Sequence, residues 1–116
     1  MTAPEEEDFL YPYEAALHEA FPRYHDVQSE WLSALDSLTA LDRKTHELVR
    51  LALAASRLNR SGIERHARFA TEMGATWPEL CEAILLTSPA YGVLPAAEAI
   101  PVAKAAFDSA AMPEVE

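Results

Sequence analysis

The stretch "LDRKTHELVRLALAASRLNRSGIERHARFATEMGAT", residues 41–76, establishes the helical architecture. Asp42 is a good N-cap, and beyond it Leu48, Leu51, Ala52, Ala55 and Leu58 recur at three- and four-residue spacing, the period of one helical face. That predicts a helix from Asp42 to about Leu58. Ser61 with Glu64 then reads as an S-x-x-E capping box, and Gly74 suits a left-handed terminator, so a second helix is predicted over about 62–73. Ile63, His66, Ala67, Ala70 and Met73 share its apolar face. A histidine on that face is either core filler or chemistry.

Outward from this pair the pattern stays helical. Thr76 and Glu79 repeat the capping box with Pro78 in the first turn, predicting a helix over about 77–88 that turns Trp77, Leu80, Cys81, Ile84 and Leu85 inward. "TSPAYGVLP" breaks the pattern. A last helix is predicted from near Pro95, and Pro101 inside it lacks an NH to donate, which predicts a kink or two short helices. Upstream, "YEAALHEAF" aligns Ala16, Leu17, Ala20 and Phe21 before Pro22, and "HDVQSEWLSALDSL" aligns Val27, Trp31, Leu35 and Leu38, giving two packing helices. His18 and His25 fall on or near their polar sides. The expected organisation is an acidic disordered tail over 1–8, packing helices over 9–40, a helical core over 41–108 and a frayed tail over 109–116.

Composition agrees with an all-α fold of about six helices: half of the 116 residues are hydrophobic and only three are glycine. A chain this short buries its apolar surface incompletely alone, so a symmetric homo-oligomer is expected. No apolar run approaches the roughly 20 residues that span a bilayer, and "MTAPEEED" is opposite in charge to a secretory leader, which predicts a cytoplasmic protein. Cys81 is the only cysteine, which excludes an internal disulfide and an all-thiolate zinc site.

The net charge of -10 argues against partnership with nucleic acid or an anionic membrane. Its distribution is uneven. Seven of the nine Lys and Arg residues (Arg43, Lys44, Arg50, Arg57, Arg60, Arg65, Arg68) lie in one segment with only Glu47 and Glu64 as acids, so that segment carries +5. Such a patch suits a small anionic ligand; it equally suits pairing with acids of a neighbouring subunit or exposure to water.

The longer run "LDRKTHELVRLALAASRLNRSGIERHARFATEMGATWPELCEAILLTSPAYGVLPAA", residues 41–97, resembles the carboxymuconolactone decarboxylase family, which includes the alkylhydroperoxidase D-like proteins. The resemblance rests on the Leu-Asp start followed by Glu-Leu, the helix-borne histidine, the A-x-x-x-G-A-T close, the second Glu-Leu and the Y-G-x-x-P turn, in this order. It implies an all-helical fold assembling as trimers or hexamers, with a pocket lined by the helices that carry Glu47 and His66.

The peroxidase branch of that family places a Glu, a C-x-x-C pair and a His on positions that correspond here to Glu47, Asn59, Gly62 and His66. Both cysteines are missing, and disulfide chemistry needs one thiolate to attack and a second thiol to resolve. Peroxidase or disulfide-reductase activity is therefore not expected. The decarboxylase branch also lacks them and typically reads His-x-Arg, here His66-Ala67-Arg68. The resemblance implies His66 as general acid/base, Glu47 as its orienting or relaying partner, and Arg60 or Arg68 as clamp for a small anionic organic substrate, with Tyr91 a further substrate-binding candidate. Glu47 and His66 offer only two metal ligands and sequence places no third, so neither metal nor other cofactor is expected.

Other readings of the same residues stand beside this one. A histidine on an apolar face is commonly a satisfied core or interface residue, which suits an oligomeric binding or regulatory module without chemistry. Arg68 lies roughly 200° around the helix from His66, an awkward angle for cooperation within one subunit. Cys81 reads as a small core hydrophobe, and redox function through it requires a second cysteine from elsewhere.

Overall fold

The computed structural model describes residues 13–111, and the expected tail over 1–8 lies outside them. Among the described residues there are seven α-helices, one 3-10 turn and no strand. Six of the helices exceed one turn. The chain divides into two compact units, Met1–Ala40 and Leu41–Glu116.

In the first unit α1 (Glu14–Ala20) is followed by α2 (Pro22–Ala34) and the 3-10 turn Leu35–Ser37. Pro22 opens α2 at a position where its missing NH costs nothing. The expected packing stripe behaves otherwise: Phe21, Val27, Trp31 and Leu38 are exposed, and the residue that α2 buries is His25. The reason is a partner that spacing does not reveal, because Glu14 of α1 is buried too and bonds the imidazole.

The second unit holds α3 (Arg43–Ser56), α4 (Arg60–Glu72), α5 (Trp77–Leu85), the four-residue α6 (Ser88–Tyr91) and α7 (Val93–Ala111). Asp42 caps α3 by accepting from the Thr45 NH at 2.7 Å. Thr76 and Glu79 form the reciprocal capping box of α5, and Gly74, at φ +95°, turns the chain after α4 in a conformation that costs an L-residue strain. At the start of α4 the structure departs from expectation. Asn59 is the N-cap, accepting from the Gly62 NH at 3.2 Å, while Ser61 lies inside the first turn and Glu64 pairs with Arg60. The shift follows from Leu58, whose φ of +50° redirects the chain before Asn59.

The core is built largely of alanine: Ala54 and Ala55 from α3, Ala67 and Ala70 from α4, and Ala96, Ala99 and Ala103 from α7, filled in by Leu51, Ile63, Leu80 and Ile84. Small side chains let helix axes approach closely, and α4 packs chiefly on α3 and α7. Gly62 tightens that approach. A Cβ there would stand 3.0 Å from the Ala54 Cβ. Helix α7 continues through Pro101, one piece of 19 residues rather than two short ones. Proline removes one backbone bond, and the buried Ala96, Ala99 and Ala103 hold the helix on both sides of the loss. Among the described residues no helix is long and apolar enough to cross a membrane.

Candidate functional site

Glu47 sits at the edge of the apolar stripe of α3, one residue before Leu48, and His66 lies on the inner face of α4. Because Gly62 and Ala54 let these helices close together, the two side chains meet: Glu47 Oε2 lies 2.7 Å from His66 Nδ1. Both are nearly withdrawn from water, with 3 % of Glu47 and 8 % of His66 exposed. The second carboxylate oxygen, Oε1, accepts from an Arg50 guanidinium nitrogen at 3.3 Å. Two donors thus converge on one buried carboxylate.

That arrangement assigns the imidazole proton. A carboxylate only accepts, so Nδ1 is the donor, and the lone pair of the neutral ring is placed on Nε2. Among the described residues Nε2 has no hydrogen-bond partner. The ring is otherwise fixed by Phe69, edge-on at 6.4 Å between centroids. Such a ring can take or give a proton at Nε2 while Glu47 steadies the imidazolium form.

Arg60 and Arg68 occupy the outer side of α4. Arg60 bonds Glu64 at 3.1 Å, and Arg68 stands 4.0 Å from Glu72 while its guanidinium covers the Phe69 ring at 5.1 Å. Neither bonds Glu47 or His66. Tyr91 ends α6, is more than half exposed, and its hydroxyl makes no hydrogen bond among the described residues. Lys44 ties α3 to α5 through Glu79 at 2.9 Å; that bond, more than bulk charge, holds the ammonium above its usual range. Glu79 is held below the usual carboxylate range first by the Thr76 backbone NH and then by Lys44. At least four of the seven cations in the positive segment, Lys44, Arg50, Arg60 and Arg68, are therefore paired with acids of this same chain.

In the sequence Arg50 reads as one more charge in a run. Its signal was the three-residue spacing from Glu47, which places the two side chains on neighbouring helical positions. Asn59 and Gly62, which stand where the peroxidase pattern has cysteines, are an N-cap and a helix-contact glycine. Cys81 is half-buried, and burial pushes its thiol up against a smaller opposing pull from Lys104. A thiol so placed is a poor nucleophile.

A surface groove of about 550 Å³ belongs to the first unit, lined by Ala20, Phe21, Pro22, Arg23, Tyr24 and Val27. The same unit brings His18, His25 and Asp26 together, and His25, expected on or near a polar helix side, is buried.

Compared with known proteins, the chain is matched over residues 22–105 by the model of the carboxymuconolactone decarboxylase family. No curated protein and no solved structure matches it.

Proposed function

The chain belongs to the carboxymuconolactone decarboxylase family, and from that premise we propose that it is a cofactor-free decarboxylase or related lyase acting on a small organic acid or lactone. The observation that carries this reading is the buried Glu47–His66 bond with Nε2 left for a reacting group. In decarboxylation the bond between carbon and the carboxylate breaks, CO2 departs, and its electron pair remains on carbon, delocalised into a conjugated carbonyl. The imidazolium of His66 delivers the proton from Nε2 to that carbon. Glu47 stabilises the charged ring before transfer and keeps Nδ1–H in place after it, so the ring is recharged by solvent at the same nitrogen.

Arg60 and Arg68 serve in this reading as clamps for substrate carboxylates in the pocket of a neighbouring subunit, since both face outward from α4. Each already holds an acid on its own helix, so exchanging Glu64 or Glu72 for a substrate carboxylate preserves charge pairing. Self-assembly as a trimer or hexamer is part of the proposal. Val49, Leu53, Leu85, Leu86, Val93 and Leu94 all lie exposed on the second unit, apolar side chains that contact between copies would cover.

The test is turnover on a panel of lactone acids and unsaturated dicarboxylic acids, followed by CO2 release, for the wild type and His66→Gln. A loss of at least about 100-fold is expected. Folded His66→Gln that turns over substrate like the wild type removes His66 from the chemistry.

A second reading is favoured by the depth of the same pair. Only 8 % of His66 is exposed, and a histidine held this closely also suits an oligomeric binding module in which it ties α4 to α3. On that reading the wild type turns over nothing in the panel, and His66→Gln changes stability alone.

A further inference from the structure

Among the described residues of the Met1–Ala40 unit only two side chains are buried, and both are ionisable: Glu14 and His25. Where the buried side chains of a small helical unit are ionisable, a bound metal is one recurrent way of tying its helices together. Here the chain has one cysteine, Cys81, outside this unit. The side chains at the α1–α2 contact are instead those of a metal site. Glu14 Oε1 lies 2.9 Å from His25 Nε2. On the other edge of that ring Nδ1 stands 3.9 Å from Asp26 Oδ1. The His18 ring meets His25 edge-on at 5.2 Å between centroids, and one ligand atom each from His18, His25 and Asp26 lies within 4.8 Å of the others.

We propose that His18, His25 and Asp26 form a binding site for a divalent first-row transition-metal ion that staples α1 to α2. Two imidazoles and one carboxylate match the borderline ions such as zinc rather than calcium or magnesium, which prefer all-oxygen shells. Zinc bonds of about 2.0–2.1 Å in a tetrahedron put neighbouring ligand atoms about 3.3 Å apart. The 3.9 Å between His25 and Asp26 is close to that, and rotation of the exposed Asp26 side chain and of the partly exposed His18 ring brings the three atoms from within 4.8 Å to bonding distance. Glu14 takes the outer-sphere role. By accepting from Nε2–H it directs the Nδ1 lone pair towards the ion, the carboxylate–histidine–metal relay that fixes ring orientation in metal sites. Among the described residues the site has three protein ligands.

Zinc titration of the full-length, chelator-stripped protein, by calorimetry or competition with a chromophoric chelator, tests the site. One zinc per chain is expected, with affinity falling at least about tenfold in His18→Gln and in Asp26→Asn, and about tenfold in Glu14→Gln. Affinity is expected to stay unchanged in the double variant Glu47→Gln/His66→Gln. Since His25 is buried and its replacement can unfold the unit, the decisive variants are those of His18 and Asp26, which are more exposed. Absence of zinc uptake overturns the proposal, as does wild-type affinity in both His18→Gln and Asp26→Asn, or loss of binding in the Glu47/His66 double variant.

Discussion

Replacing Glu47 by Gln changes one atom and reverses the logic of the site. In the wild type the carboxylate accepts from both His66 Nδ1 and Arg50. The amide has one accepting oxygen, so if Arg50 keeps it, the NH2 group faces Nδ1 and forces the ring to accept there. The proton of the neutral imidazole then moves to Nε2. The imidazolium form, with two NH groups and no anion beside it, becomes harder to reach. A charge-assisted bond worth about 1.5–3 kcal/mol is exchanged for a neutral one worth about 0.5–1.5. The exposed-side Arg50 pair contributes a few tenths more. The expected destabilisation is therefore about 1–2 kcal/mol, read from urea unfolding at fixed protein concentration. Glu47→Ala, which leaves Nδ1–H buried without an acceptor and opens a cavity, should cost about 3–4 kcal/mol. Turnover of Glu47→Gln should fall by about 10²–10⁴ because the proton donor is disfavoured. Unchanged stability in Glu47→Gln would refute the bond itself, and full turnover in a destabilised variant would reduce Glu47 to a structural role.

Helix packing, acid titration and thiol burial supply three more outcomes. Gly62→Ala gains about 1 kcal/mol of helix propensity but sets a Cβ 3.0 Å from Ala54, and overpacking at about 1–3 kcal/mol outweighs it; the variant should be less stable in urea, and Ala54→Gly should restore it. Asp42 is lowered by its bonds to Thr45, and Glu79 chiefly by the Thr76 NH, so their stabilisation is complete above the ordinary carboxylate range and is lost as pH falls through their lower folded values. Glu79→Gln should flatten the acid limb of a melting-temperature profile, and an unaltered limb would dismiss that bond. Raised Lys44 acts at the opposite end, losing its contribution as pH climbs through its folded value. Cys81, kept protonated by burial, should remain unmodified by mass spectrometry after mild peroxide treatment, and ready sulfenylation would contradict that placement.

Features set by residues close in sequence were legible there: the Asp42 cap, the Thr76–Glu79 box, the Gly74 turn, and the inward face of α4 from Ile63 to Ala70. What escaped was set elsewhere. The Ser61–Glu64 pattern lost to Asn59 because Leu58 takes a left-handed conformation that its side chain gives no hint of. Of the two outcomes that Pro101 allowed, two separate helices did not form, because tertiary packing of alanines outweighs one lost backbone bond. His25 looked like an exposed polar residue until Glu14, eleven positions away on another helix, supplied the partner that makes burial tolerable. Glu47 and His66 were visible as candidates on two helices. Their 2.7 Å separation depends on the Gly62–Ala54 approach, and Arg50 entered only once the orientation of the carboxylate was known.

The chemistry assigned to His66 stands on its tautomer in the wild type, which long-range proton–nitrogen NMR correlations read at a pH where the ring is neutral. The proton should reside on Nδ1, bonded to Glu47, with Nε2 carrying the chemical shift of a bare imidazole nitrogen. A proton found on Nε2 instead would mean that the carboxylate does not hold the ring as described and that the proposed donor nitrogen is wrongly assigned.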